Sequence, residues 1–192
     1  MTKRKISEIY LDKNGQQIEP FEVTRSENED CSNTIFFCCI ATVPDGFSLS
    51  FDEPFTNFCF DFSDLSCCLE NTTLNTIPNP CGDGTEISCS VDVQAVKLVG
   101  CARMLASVGS IVPNDTRNGT ETGCAVSCST TTCVNQTLTF TCDAEPPCTP
   151  CYEVERSFAE FTLSTDECDR EILIAEAIVY LNFIGCNDCD CF

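Results

Sequence analysis

The chain has 192 residues, 43% of them apolar, enough to bury an ordinary core without covalent help. Nineteen cysteines nevertheless place it among disulfide scaffolds, and the odd count leaves at least one thiol without a partner inside a monomer. Thirty acidic residues against ten basic ones give a formal charge of −20, which repels phosphate backbones and anionic lipid and argues against a nucleic-acid partner.

Residues 1–30 read as an N-terminal hairpin or arm. Ile6 to Leu11 and Gln17 to Val23 flank Asn14-Gly15, a type I′ turn signal. Pro20 demotes the second arm to an edge strand or extended segment. Arg25 to Asp30 is a solvated link. Lys3, Arg4 and Lys5 are not followed by the apolar region of an export signal. Disulfide-scaffold composition without that signal leaves two readings, a mature fragment or synthesis in a reducing cytoplasm with oxidation afterwards, and the initiating Met1 favours the second.

Residues 31–185 read as one mostly β domain, a β-sandwich or jelly-roll-like body. The expected strands are Thr34 to Val43, Phe47 to Phe51, Phe55 to Phe62, Glu86 to Leu98, Cys101 to Ile111, Gln136 to Cys142, Tyr152 to Leu163 and Glu171 to Ile184. Ile87, Cys89, Val91, Val93 and Ala95 alternate with polar residues, as a half-buried strand requires. Recurrent phenylalanine and β-branched residues between turn clusters point the same way. Val154, Phe158 and Phe161 fit helical spacing too, and Glu171 to Ile184 is long enough for a buried helix, but the surrounding pattern favours strands for both. Residues 70–85 and 112–135, rich in Asn, Thr, Pro and Gly, read as long loops. No run approaches the roughly 18 apolar residues of a membrane-spanning helix, so no membrane partner is expected.

The adjacent pairs Cys38-Cys39 and Cys67-Cys68 carry the most information. Neighbouring Cα atoms lie about 3.8 Å apart, short of the roughly 4.4 Å where ordinary disulfides begin. In a strand, adjacent side chains point to opposite faces. One thiol of each pair can then staple the domain while the other faces a partner subunit. Alternatively, both members bond separately within one domain. The C-terminal segment 186–192 holds Cys186, Cys189 and Cys191 interleaved with acids, a tail suited to reach a neighbour. The candidates for bonds between subunits are therefore Cys38, Cys39, Cys67, Cys68, Cys186, Cys189 and Cys191.

Other chemistries find less support. Cys148-Thr149-Pro150-Cys151 and Cys186-Asn187-Asp188-Cys189 are both C-x-x-C and could together make a Cys₄ zinc site or, for the first, a redox loop. Among so many cysteines such spacings also arise by chance. With no histidine, the common general base is missing and Cys-His and Ser-His-Asp arrangements are ruled out. No phosphate-cradling glycine loop occurs. An enzyme is not expected, nor a cofactor. Sequons at Asn71, Asn114, Asn118 and Asn135 follow from the Asn- and Thr-rich composition.

Vicinal cysteine pairs, a β-rich body, a cysteine-studded end and no export signal together resemble the self-assembling spore-surface proteins of endospore-forming bacteria. These are the cysteine-rich proteins of the exosporium basal layer and, more distantly, the jelly-roll subunits of endospore appendages. The resemblance implies synthesis in the mother cell, assembly outside the forespore with copies of itself and other cysteine-rich coat proteins, and oxidative locking. Appendage subunits carry linking cysteines in an N-terminal connector, whereas residues 1–30 here contain none, so a lattice is favoured over a fibre. A secreted or surface binding module with internal disulfides only is the second reading. A zinc or redox protein is the third.

Overall fold

Alternating side-chain chemistry turns most of this chain into extended backbone. The structure, a computed structural model, describes residues 3–21, 23, 33–49, 55–78, 86–109, 111–114, 124–141 and 151–184. The strands are β1 (Arg4–Asp12), β2 (Thr34–Thr42), β3 (Phe47–Leu49), β4 (Phe55–Pro78), β5 (Glu86–Gly109), β6 (Ile111–Pro113), β7 (Ala125–Thr141), β8 (Tyr152–Thr165) and β9 (Glu171–Phe183). Among the described residues there is no helix.

A four-stranded sheet runs β1-β8-β9-β2, a three-stranded sheet β4-β5-β7, and β3 pairs with β6. Every pairing is antiparallel. Ile35 and Phe37 of β2, Phe161 of β8 and Ala175 and Val179 of β9 share one buried cluster with Met104, Ala106 and Val108 of β5 and Val126 of β7. Phe58, Phe60 and Phe62 line one side of β4, and Phe60 meets Phe37 at 5.3 Å between ring centroids. The result is a two-sheet β-sandwich. Its sheets come together at one edge, where the Thr132 hydroxyl of β7 donates to the Phe36 carbonyl of β2 at 3.1 Å.

Strand lengths depart from the sequence expectation. Residues 70–78 continue β4 and residues 125–135 belong to β7, although both stretches read as loop. Thr, Ser and Asn are frequent in them, but Thr is a good strand former, and an outer face can be polar. The two strands expected at Glu86 to Leu98 and Cys101 to Ile111 are one strand, β5, running through Gly100. Tyr152 to Leu163 and Glu171 to Ile184 are strands and not helices, as their surroundings suggested.

Gly100 marks a β-bulge. Asp61 pairs with Arg103 and Asp64 with Cys101, so Phe62 and Ser63 together oppose Ala102. β5 keeps its even residues inward, from Leu98 through Ala102 and Met104. The extra residue in β4 shifts its inward set from Phe58, Phe60 and Phe62 to Leu65 and Cys67. Gly100 has φ 128°, and a Cβ there would strike the Asp64 carbonyl oxygen.

Two tight turns share one design. In the first, the Asp12 N–H donates to the Gln16 carbonyl, Gly15 N–H to the Asp12 carbonyl, and the Asn14 and Gln16 N–H groups to Asp12 Oδ1. In the β8–β9 turn the same bonds link Asp166 to Arg170, Asp169 and Cys168. The Gln16 amide, followed by that of Asn14, holds the Asp12 carboxyl below its usual range. The Arg170 amide does the same for Asp166, helped by the Arg170 guanidinium. The expected type I′ turn at Asn14-Gly15 is not made, because that type needs positive φ at both residues and here only Gly15 has it. The Asp12 carboxylate, by taking the Asn14 amide, stabilises the alternative. In the second turn Asp169, at φ 60°, holds the position that Gly15 holds in the first.

Two substitutions test this account. Gly100→Ala should destabilise by about 3 kcal/mol or more, through backbone strain and collision with Asp64. Asp169→Gly should stabilise by about 0.5–1 kcal/mol, since glycine accepts positive φ without steric cost. Denaturant melts of the oxidised protein, followed by circular dichroism, read both; the reverse order of stabilities would refute the turn and bulge assignments.

Candidate functional site

The sulfur atoms are the candidate site, and strand geometry distributes them. Along β2, Ile35, Phe37 and Cys39 are buried, while Phe36, Cys38 and Ile40 are exposed. Cys39 bonds to Cys128 of β7. Cys38, one residue away, points out of the opposite face beside Glu176, its register partner on β9. Partial burial, then the Glu176 charge, pushes the Cys38 thiol up, against the pull of Lys3. A raised thiol is mostly protonated at neutral pH and is a slow nucleophile until its surroundings change. Phe36 and Ile40, 40% and 58% exposed, flank it with apolar surface.

The second pair is divided the same way, through the bulge. Cys67 points inward and bonds to Cys151, which is fully buried just ahead of β8. The Cys151 N–H also donates to Cys67 Sγ at 3.3 Å. Cys68 takes the outer face, half-buried, opposite Lys97, whose ammonium pairs with Glu70. Both disulfides therefore join the four-stranded sheet to the three-stranded one. Their order along the chain, 39, 67, 128, 151, makes the two closed loops overlap.

Of the seven residues singled out in the sequence, then, Cys39 and Cys67 are engaged within the chain, and Cys38 and Cys68 retain outward thiols. Cys186, Cys189 and Cys191 lie outside the described residues. Cys151, of the first C-x-x-C, is bonded to Cys67, and Cys148 lies outside the described residues. Among the described residues, no group of three or more potential ligands stands together.

Several cysteines of consequence escaped the sequence reading. Cys59 is exposed on the outer face of β4; inward Phe58 and Phe60 on either side were the available signal. Cys168 is exposed at the tip of the β8–β9 turn, announced by the acids around it. Cys101 and Cys133 pair directly across β5 and β7, with sulfurs 2.6 Å apart. No local signal could have brought those two together.

A family model described as the YwhK N-terminal domain matches residues 24–178. No curated protein and no solved structure matches the chain.

Removing the inward and outward sulfurs should have opposite consequences. The disulfides close sequence separations of 89 and 84 residues. The chain-entropy relation gives about 4–5 kcal/mol for a loop of this length. Replacing Cys39 and Cys128 together by Ala, or Cys67 and Cys151 together, should cost about 4 kcal/mol. Cys38→Ser and Cys68→Ser should stay within about 0.5 kcal/mol. Guanidinium melts without reductant measure the difference, and equal losses in both groups would contradict the inward–outward division.

Proposed function

The chain belongs to the YwhK N-terminal domain family, and for this member of it we propose a structural function: self-assembly into a disulfide cross-linked spore-surface layer, of the exosporium type. The observation that carries this reading is the division of the vicinal pairs. One sulfur of each pair is spent on joining the sheets, and its neighbour is presented on an outer face. A domain needing cysteine for its own stability alone has no use for the second set.

The outward thiols also diverge. Cys38 belongs to the outer face of the four-stranded sheet, Cys59 and Cys68 to that of the three-stranded sheet, and Cys168 to a turn tip. Linkages leaving in several directions build a layer more readily than a single-file fibre. Cys186, Cys189 and Cys191 would add a reach beyond the body. The exposed Phe36 and Ile40 offer apolar contact around Cys38, and the charge of −20 keeps copies soluble until they are locked.

The proposed partners are copies of the same chain and other cysteine-rich coat proteins. The proposed place is the spore surface, after synthesis in the mother cell and oxidation outside the forespore. The role is passive and not catalytic: a barrier whose disulfides between subunits must be reduced before it dissolves.

Electron microscopy of the purified full-length protein, with gels run with and without reductant, tests the reading. Ordered sheets, and ladders that collapse only on reduction, are expected. Replacing Cys38 and Cys68 together by Ser should shorten the ladders while leaving the melting transition in place. A monomer in both lanes, with no ordered assembly, would sink it.

A further inference from the structure

Cys101 and Cys133 stand apart from the two staples. They are direct register partners on neighbouring antiparallel strands, where Cα atoms lie about 4.5–5.5 Å apart, inside the span a disulfide bridges. Their sulfurs are 2.6 Å apart. Both lie on the outer face of the three-stranded sheet, with Cys133 exposed and Cys101 half-buried. In the staples, by contrast, Cys39, Cys128 and Cys151 are 6%, 8% and 0% exposed. Thiol–disulfide exchange requires a thiolate to reach a sulfur. The fourth staple sulfur, Cys67, is half-buried like Cys101, and among the described residues Cys101–Cys133 is the pair that has an exposed member, Cys133.

We infer that Cys101 and Cys133 form a third, solvent-facing disulfide, which serves as the electrophile through which a thiol of a second copy becomes covalently linked. Closure needs a two-electron acceptor, and a low-molecular-weight disulfide suffices: the two thiols become one disulfide while the acceptor becomes two thiols. In the exchange step, a thiolate from the second copy attacks the exposed Cys133 sulfur. The new bond joins Cys133 to the incoming cysteine, the Cys101–Cys133 bond breaks, and Cys101 leaves as a thiolate that takes a proton from water. The number of disulfides is unchanged. Linking therefore needs no further oxidant, and the released Cys101 thiol can attack another copy in turn.

Cys59 is the nucleophile best placed for this. It is exposed on the same outer face, paired with Leu105, itself 49% exposed. A face that meets a second copy brings Cys59 and Cys133 to it together. Within one chain the reaction is barred by distance. Leu105 lies four residues along β5 from Cys101, about 13 Å in an extended strand. The charged neighbours on this face are Arg103 and Asp64, ion-paired at 2.7 Å, with Asp61 opposite Arg103. Asp64 is the register partner of Cys101 and opposes charge on the departing sulfur more than Arg103, two residues along, attracts it, so the leaving thiolate is held only until it takes its proton from water.

The inference rests on the self-assembly reading, and the experiment separates the two. Full-length protein is treated with oxidised glutathione, freed of it by gel filtration at about pH 5.5, where thiols stay protonated and the chain keeps its negative charge, and then raised to about pH 8 without oxygen. Non-reducing gels follow the ladders, and mass spectrometry identifies the linked peptides. Wild type should ladder and yield a Cys133–Cys59 peptide. The double variant Cys101→Ser with Cys133→Ser, and the single variant Cys59→Ser, should ladder slower by about tenfold or more, with the double variant recovering when an oxidant is added. A double variant that ladders at the wild-type rate without oxidant would overturn the exchange route and leave the assembly reading intact. So would alkylation of both Cys101 and Cys133 after the glutathione treatment. If no form ladders even with oxidant, the assembly reading falls and the exchange route with it.

Discussion

In an extended strand, neighbouring side chains leave opposite faces of the sheet, and the sulfur arrangement follows from that rule. An adjacent cysteine pair cannot close comfortably on itself, and in a strand it straddles the layer. Cys39 and Cys67 bond inward, across the sandwich, and Cys38 and Cys68 are left outside. The outward cysteines are tied to the inward ones by the peptide bond, so packing that fixes one fixes the other.

The rule works only if each strand keeps count, and β4 must change its count midway. Its first half turns Phe58, Phe60 and Phe62 towards the core, whose parity would send Cys68 inward. One extra residue at Phe62-Ser63, accommodated by the close approach of Gly100 to Asp64, reverses the parity. Cys67 then reaches the buried Cys151. A backbone detail of one residue thus decides which sulfur is internal and which external, a stronger consequence than its small cost in ladder hydrogen bonds would suggest.

The two sets of sulfurs answer different physical demands. Burial of Cys39, Cys128 and Cys151 shields the staples from exchange, and both staples restrict the unfolded chain. Exposure does the reverse for Cys38, Cys59 and the Cys101–Cys133 pair, which sit where another molecule can reach them. The acidic surface keeps copies apart by long-range repulsion that salt screens within about 10 Å, whereas a covalent link, once made, is indifferent to it. In the proposed layer, a subunit of this kind would stay dispersed before oxidation and persist afterwards.

The sequence by itself determined the β character of the chain, the rule that adjacent cysteines of a strand face opposite ways and, from the surrounding pattern, the strand reading of β8 and β9, while leaving open which of Cys38 and Cys39 turns inward. These are local patterns, and side-chain period is a local property. It also located the turn at Asn14-Gly15, though not its type, because the Asp12 carboxylate redirects the backbone. Only the tertiary structure decided the lengths of β4 and β7, whose polar Thr, Ser and Asn residues gain their strand pairing from neighbours far along the chain. It alone decided the partners Cys128 and Cys151, and it alone set Cys101 opposite Cys133. Those choices depend on register between strands, and register is fixed where two faces are buried against each other, not within any one segment.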